Sequence, residues 1–286
     1  MEKGWLGIEG DVCVVTGAMG GMGRQIIEEF ARNGANVVLV DIVDEKKIRA
    51  AAEGVAKKYG IGAAGFKCNV TDENEVDKLV KRVVKRFGKA DVLVNTAGIL
   101  RFAPMEDLSL EDWNDTINVN LTGYFLTSRG FGRQMIKQKS GRLVHISTVA
   151  SHQPETYSGG YSSSKAGVGM LSKMLAVEWG QFGIRSNCVC PCFVKTPMSE
   201  DFYKDPKVLE GRTRLIASRR IGEVKDIVNA VAFLASPRSD FTNGSELNVD
   251  GGFSIMMGEL TPKPGGRRGY AENWLKEREE RRKAVK

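Results

Sequence analysis

The feature that most constrains this chain lies near its start, where Val12-Cys13-Val14-Val15-Thr16 runs directly into Gly17-Ala18-Met19-Gly20-Gly21-Met22-Gly23. The first run is short, apolar and rich in β-branched residues, the pattern of a buried strand. From Arg24 to Asn33 the pattern is helical, with Ile26, Ile27, Phe30 and Ala31 on one face. A strand, a glycine-rich turn and a helix N-terminus make a phosphate site. Glycines let the backbone approach a pyrophosphate, and the helix dipole favours its charge. The next apolar run, Asn36 to Asp41, ends in a carboxylate 18 residues after Gly23. That is where a dinucleotide site binds the adenosine ribose hydroxyls. Two like unit charges about 4 Å apart repel by roughly 4 kcal/mol at an effective dielectric of about 20, so Asp41 should disfavour a 2′-phosphate. Gly17, Gly21, Gly23 and Asp41 are therefore expected to hold NAD in preference to NADP.

Strand and helix patterns alternate from Val12 to Val249, and no Pro/Ser/Gly-rich linker divides them. Strands are expected near 12–16, 36–41, 63–68, 91–95, 142–147, 184–190 and 245–249. Helices are expected near 21–33, 44–59, 72–88, 111–138, 161–180 and 223–235. Such alternation predicts one α/β domain, a Rossmann-like doubly wound parallel sheet of about seven strands with helices on both faces. The domain is expected over 1–260, followed by a basic, partly helical extension over 261–286.

The second constraint is chemical. Tyr161 and Lys165 stand four residues apart within a helical pattern, so their side chains share one face. A phenol ionises near pH 10 in isolation, and a cation within roughly 4–6 Å favours the phenolate. Lys165 is thus expected to lower the pKa of Tyr161 and make it a proton-transfer group for an alcohol.

Together these motifs resemble the short-chain dehydrogenase/reductase family, from about Gly7 to Gly252. Thr16 to Gly23 is similar to the family's Thr-Gly-x-x-x-Gly-x-Gly turn, and Asn95-Thr96-Ala97-Gly98 to its Asn-Asn-Ala-Gly strand end. Asn120 matches its helix asparagine, Tyr161 and Lys165 its Tyr-x-x-x-Lys pair, and Pro191-Cys192 with Val194 and Thr196 its Pro-Gly segment. Asp250-Gly251-Gly252 also fits. The resemblance implies reversible hydride transfer between NAD and a secondary alcohol or ketone. It implies cofactor contacts from Met22, Asn69, Val70, Asn95, Ala97, Gly98, Pro191, Val194 and Thr196, with Tyr161 and Lys165 at the nicotinamide end.

Catalysis is implied for Asn120, Thr148, Tyr161 and Lys165. Tyr161 takes the hydroxyl proton, and Asn120 holds a water that relays protons from Lys165. Thr148 lies 13 residues before Tyr161, in the place of the family's serine, with Ser147 beside it as the alternative. Both hydroxyls cannot serve equally, because neighbours on a strand face opposite ways. Cys192 stands in place of a glycine and brings a Cβ near the nicotinamide; Asn69 stands in place of an aspartate. The family also implies a homodimer or homotetramer. A second reading keeps the fold and loses turnover: an NAD-binding regulatory or scaffold protein.

Substrate residues are expected beyond the carboxyl ends of the strands. The lining is expected from Arg101-Phe102, from Ser151 to Gly160 with His152, Gln153, Glu155 and Tyr157, and from Met198 to Ser218, read as a mobile lid with Met198, Phe202, Tyr203 and Leu215. Polar and aromatic groups mixed in this way suit a cyclic or aromatic alcohol, such as a sterol, a polyphenol or a cyclic alcohol. A sugar or polyol, or a 3-oxoacyl group, is the alternative.

No apolar run approaches the roughly 20 residues a membrane helix needs, and the first residues do not form a signal peptide. Five cysteines and two histidines give no metal-ligand spacing, so no metal site is expected. The cysteines fit a reducing, cytoplasmic compartment. Of a net charge of +7, five charges arise after Thr261, where nine bases face four acids. The basic character therefore belongs to the tail, which reads as a solvated helix or a subunit-docking arm rather than a nucleic-acid surface.

Overall fold

The computed structural model describes residues 4–197, 199–262 and 266–284. β1 (Val12–Thr16) is buried along its whole length, so both its faces are covered. Cys13 and Val15 pack with Ile26, Ile27 and Phe30 of α1 (Gly21–Arg32) on one side of the sheet. Val12 and Val14 pack on the other side with α3 (Glu73–Phe87), α5 (Gly123–Gln138) and α6 (Tyr161–Trp179). Between these come β2 (Asn36–Asp41), α2 (Glu45–Tyr59), β3 (Ala63–Lys67), β4 (Val92–Asn95), α4 (Leu110–Ile117) and β5 (Gly141–Ile146). There follow β6 (Ile184–Pro191), β7 (Val194–Lys195), α7 (Pro206–Arg214), β8 (Gly222–Glu223), α8 (Val224–Ala235), β9 (Glu246–Val249), α9 (Met257–Leu260) and α10 (Gly266–Ala284).

Seven strands pair in parallel in the order β3-β2-β1-β4-β5-β6-β9. The chain winds outward from β1 to β3, then returns past β1 to β4. That reversal splays the connections apart and opens a crevice at the carboxyl ends of β1 and β4. The sequence positions the helices through their caps. The Asp44 side chain accepts from the backbone N–H groups of Lys46 and Lys47 to start α2, and Asp72 accepts from Glu75 to start α3. At the far end of α8, Arg185 donates to the carbonyls of Leu234 (3.3 Å) and Ser236 (2.9 Å), a cation on the negative end of the helix.

The short elements β7, β8, α7 and α9 were not expected, and one expected helix differs. The helix expected over 111–138 is broken by a π-helical turn at Asn118–Thr122 between α4 and α5. Such a turn is a known mark of functional sites. It carries Asn120 into full burial.

Candidate active site

The carboxyl ends of β1, β2 and β4 border a cleft of about 570 Å³. Its floor is the glycine turn. Gly17 has φ +63°, and a Cβ there would lie 2.9 Å from Ala97 Cα; a Cβ at Gly23 would lie 2.3 Å from the Gly17 carbonyl oxygen. Among the described residues no side chain caps the N-terminus of α1, and no acid stands in its first turn. Bare helix N–H groups over a cradle that only glycine permits fit a pyrophosphate. At the cleft's edge the Asp41 carboxylate accepts from the N–H groups of Met19 (2.9 Å) and Ile42 (2.8 Å). Its charge is pinned in the cleft wall, while Asp44 serves as the helix cap. Gly21, Met22, Asn69, Val70, Ala97, Gly98 and Thr196 border the same cleft. Asn95 does not. It is fully buried, accepts from Thr127 Oγ1 (2.9 Å) and lies 3.2 Å from His145 Nδ1, so it ties strands and helix together behind the cleft.

Beyond β4, β5 and β6 the cleft continues into a second cavity of about 740 Å³, lined by Thr148, Tyr161, Pro191 and Val194 among others. Lys165 lies beneath it, almost wholly buried. Its Nζ donates to the Ile146 carbonyl (2.8 Å) and to the Tyr124 hydroxyl (3.1 Å), and stands 5.9 Å from the centre of the Tyr161 ring. Burial pulls the Lys165 pKa down to about 7. Burial, then the charge of Glu155, pushes Tyr161 up to about 12. The expectation that Lys165 lowers the Tyr161 pKa is therefore corrected. Helical spacing did bring the two together, but burial disfavours the ammonium and its hydrogen bond goes to Tyr124.

The other catalytic candidates also have definite places. Ser147 Oγ turns away to donate to the Lys165 carbonyl (3.1 Å). Thr148, extended at the end of β5, places Oγ1 3.3 Å from the Pro191 carbonyl. Asn120 donates to the Ile99 carbonyl (2.9 Å) and to Ser164 Oγ (3.2 Å), and accepts from Ile99 N–H (2.8 Å). Its amide is spent on the loop after β4 rather than on Lys165. Both side chains crowd Gly98: a Cβ there would lie 3.3 Å from Asn120 Oδ1 and 3.7 Å from Lys165 Nζ.

Of the expected substrate residues, Gln153 and Phe202 line the second cavity, as do Arg101, Phe102, Glu155 and Tyr203. His152 and Tyr157 do not. His152 Nε2 reaches Glu246 at 2.9 Å, and Tyr157 is 65% exposed in a left-handed turn with φ +63°. Met198 falls outside the described residues. Cys192 does reach the cavity, with Phe193 and Phe253 beside it. His152, Cys190 and Glu246 bring three ligand types within 4.8 Å of one another, a convergence the spacing did not reveal. Lys173 Nζ, 2.5 Å from Glu246, already supplies a cation there. Outside the sequence reading lay Tyr124, whose one signal was its place four residues after Asn120, and Phe193 and Phe253, which line the cavity; Arg212 fell inside the lining expected over 198–218 without being singled out.

A phosphate cradle at a switch point, opening into a cavity with a phenol over a buried lysine, defines a dinucleotide-dependent oxidoreductase. A family profile described as Enoyl-(Acyl carrier protein) reductase matches residues 17–254. The D-threitol dehydrogenase of Mycolicibacterium smegmatis is 36% identical over 87% of this chain and 94% of its own. The (2S)-[(R)-hydroxy(phenyl)methyl]succinyl-CoA dehydrogenase subunit BbsD of Thauera aromatica is 38% identical over 88% of this chain and 100% of its own. Among solved structures, a gluconate 5-dehydrogenase from Burkholderia cenocepacia in complex with NADP and tartrate superposes with a TM-score of 0.83. It is 30% identical and covers 86% of this chain and 96% of its own. The chain belongs to the short-chain dehydrogenase/reductase family. It is an oxidoreductase of alcohol and ketone groups that uses a nicotinamide cofactor.

Proposed function

We propose that this enzyme transfers hydride reversibly between NAD(H) and a cyclic or aromatic secondary alcohol or its ketone. The observation that carries the reading is the phenol of Tyr161 in a cavity of about 740 Å³ bordered by Phe102, Phe193, Phe202 and Phe253. Rings on several sides favour a flat, apolar substrate body over a polyol. Bound nicotinamide supplies the two-electron hydride chemistry. The chain's residues supply position and the proton. Thr148 donates to the substrate oxygen. Tyr161, protonated at neutral pH, gives its proton to the oxygen as a ketone is reduced and takes it back in oxidation. Lys165, held by Ile146 and Tyr124, keeps a positive charge within reach, and Asn120 fixes the loop that carries Gly98. Glycines 17, 21 and 23 and the α1 N-terminus hold the pyrophosphate, and Asp41 favours NAD over NADP.

We further propose assembly into a dimer or tetramer. Met170, Met174 and Val177 form an exposed apolar stripe along α6, and Phe125 adds a half-exposed ring on α5. The basic extension, with α10, is a separate segment of the chain suited to docking. Five unpaired cysteines fit the cytoplasm.

The test is a change in absorbance at the NADH band with a panel of cyclic and open-chain ketones, run with NADH and NADPH. Cyclic ketones with NADH should react fastest, and Tyr161→Phe should lose at least a thousandfold in kcat while still binding NADH. Cofactor binding without turnover across the panel would favour the scaffold reading, and equal use of NADPH would remove the argument from Asp41.

A further inference from the structure

Among the described residues, the cavity holds one cation that pairs with no carboxylate. Three charged side chains line it: Arg101, Glu155 and Arg212. Arg101 faces Asp112 at 3.5 Å. Arg212, on α7, has its guanidinium carbon 4.7 Å from the ring centres of Phe193 and Phe202 and 5.6 Å from that of Tyr203. Among the described residues it meets no carboxylate and donates no side-chain hydrogen bond to a protein acceptor. By contrast Arg220, a few residues on, is held by both oxygens of Asp226 (2.6 and 3.0 Å).

Aromatic rings engage the face of a guanidinium and leave its edge, with five N–H donors in a fixed fork, free to bind. A carboxylate matches that fork with two parallel hydrogen bonds. The rings also restrict the side chain's rotamers before any ligand arrives, so less entropy is lost on binding. Glu155 is exposed at the rim, and its charge reaches Tyr161 and Cys192. Arg212 reaches Cys192 as well and acts there ahead of Glu155, so an anion on the substrate is disfavoured beside Tyr161 and favoured towards Arg212.

We propose that Arg212 is a carboxylate-binding residue of the substrate cavity, and that the substrate is a cyclic or aromatic hydroxy acid or the matching oxo acid. This rests on the reading of the cavity as the site of ketone reduction. The reacting carbon lies by Thr148 and Tyr161, the ring packs among the phenylalanines, and the carboxylate sits in the fork of Arg212.

The experiment compares matched pairs in the NADH complex: 4-oxocyclohexanecarboxylate against its methyl ester as substrates, and benzoate against benzamide as calorimetric ligands. For the wild type kcat/KM should favour the acid over the ester at least about tenfold, and benzoate should bind more tightly than benzamide by a similar factor. In Arg212→Met both ratios should collapse towards one. Arg212→Lys should restore part of the preference, since it keeps the charge and loses the fork. Equal handling of acid and ester, with Arg212→Met slowing both alike, would make Arg212 a packing residue and overturn the proposal while ketone reduction stands. Should neither ketone react, the reductase reading fails, and the benzoate–benzamide ratio still decides for or against Arg212.

Discussion

At the scale of single residues, the site's chemistry is set by burial more than by pairing. Tyr161 is held at about 12 chiefly by desolvation, and the nearby charge of Glu155 raises it further. A protonated phenol is the correct state for giving a proton to a reduced carbonyl, and the wrong one for starting an oxidation. In the oxidative direction the rate should therefore climb with pH up to the ionisation of Tyr161. Removing the like charge lowers that pKa, so Glu155→Gln should move the ascending limb of kcat/KM for alcohol oxidation to lower pH and raise the rate at pH 8. A profile that stays in place, or moves upward, would mean that Glu155 does not act on the phenol. Lys165, at about 7, is the other half of the balance. Its i,i+4 relation to Tyr161 was readable in the sequence. Its depth below the cavity was not, because burial depends on α5 and β5, elements distant in the chain.

At the scale of elements, the most consequential departure from regularity is the π-helical turn at Asn118–Thr122. By breaking the α-helical ladder it delivers Asn120 to the backbone of Ile99, where the amide pairs with both the N–H and the C=O. The loop after β4 thereby gains a fixed path between the two cavities. Asn120→Ala would leave two backbone groups in a partly buried place without partners, at about 1–3 kcal/mol each. The variant should melt several degrees below the wild type and lose kcat as the loop loosens. Asn120→Asp, which can still accept from Ile99 N–H, should fall between. A variant that melts with the wild type and turns over normally would reduce Asn120 to a spectator. Periodicity read α4 and α5 as one helix because a single extra residue barely disturbs a 3.6-residue pattern. It read β1, the glycine turn and α1 correctly because there the apolar run, the breakers and the amphipathic face follow one another without a gap. Asp41 was likewise legible as the acid closing β2. Arg212 fell within the expected lining segment but was not singled out, since nothing local marks an arginine whose partners are rings on either side of β7.

At the scale of the whole molecule, the same sheet that opens the cleft is laced together by buried polar groups across three of its strands. Asn95 on β4 lies 3.2 Å from His145 Nδ1 on β5, His145 Nε2 lies 3.1 Å from Ser186 Oγ on β6, and Ser186 reaches Ser172 of α6 at 2.9 Å. An amide N–H donated to Nδ1 leaves the imidazole neutral with its proton on Nε2. Burial, followed by the charge of Lys165, pulls the His145 pKa down to about 3 from its ordinary 6.5. The unfolded chain then binds a proton that the folded one refuses over the interval between those values. The His145 contribution is therefore complete above pH 6.5 and falls as pH drops below it, by about 1.4 kcal/mol per unit while only the unfolded state is protonated. Lys165 works in the same direction over a higher window: with its folded pKa near 7 and its free value near 10.5, it too costs stability as pH falls between the two. Urea unfolding followed between pH 7 and pH 5 should thus show a steady loss in the wild type. His145→Gln cannot take up a proton in either state. It should begin less stable at pH 7, having lost a fitted hydrogen-bond partner, and decline less steeply with acid. Parallel slopes for the two proteins would show that the imidazole is not held neutral, and that the sheet's polar crossing tolerates a charge near Lys165.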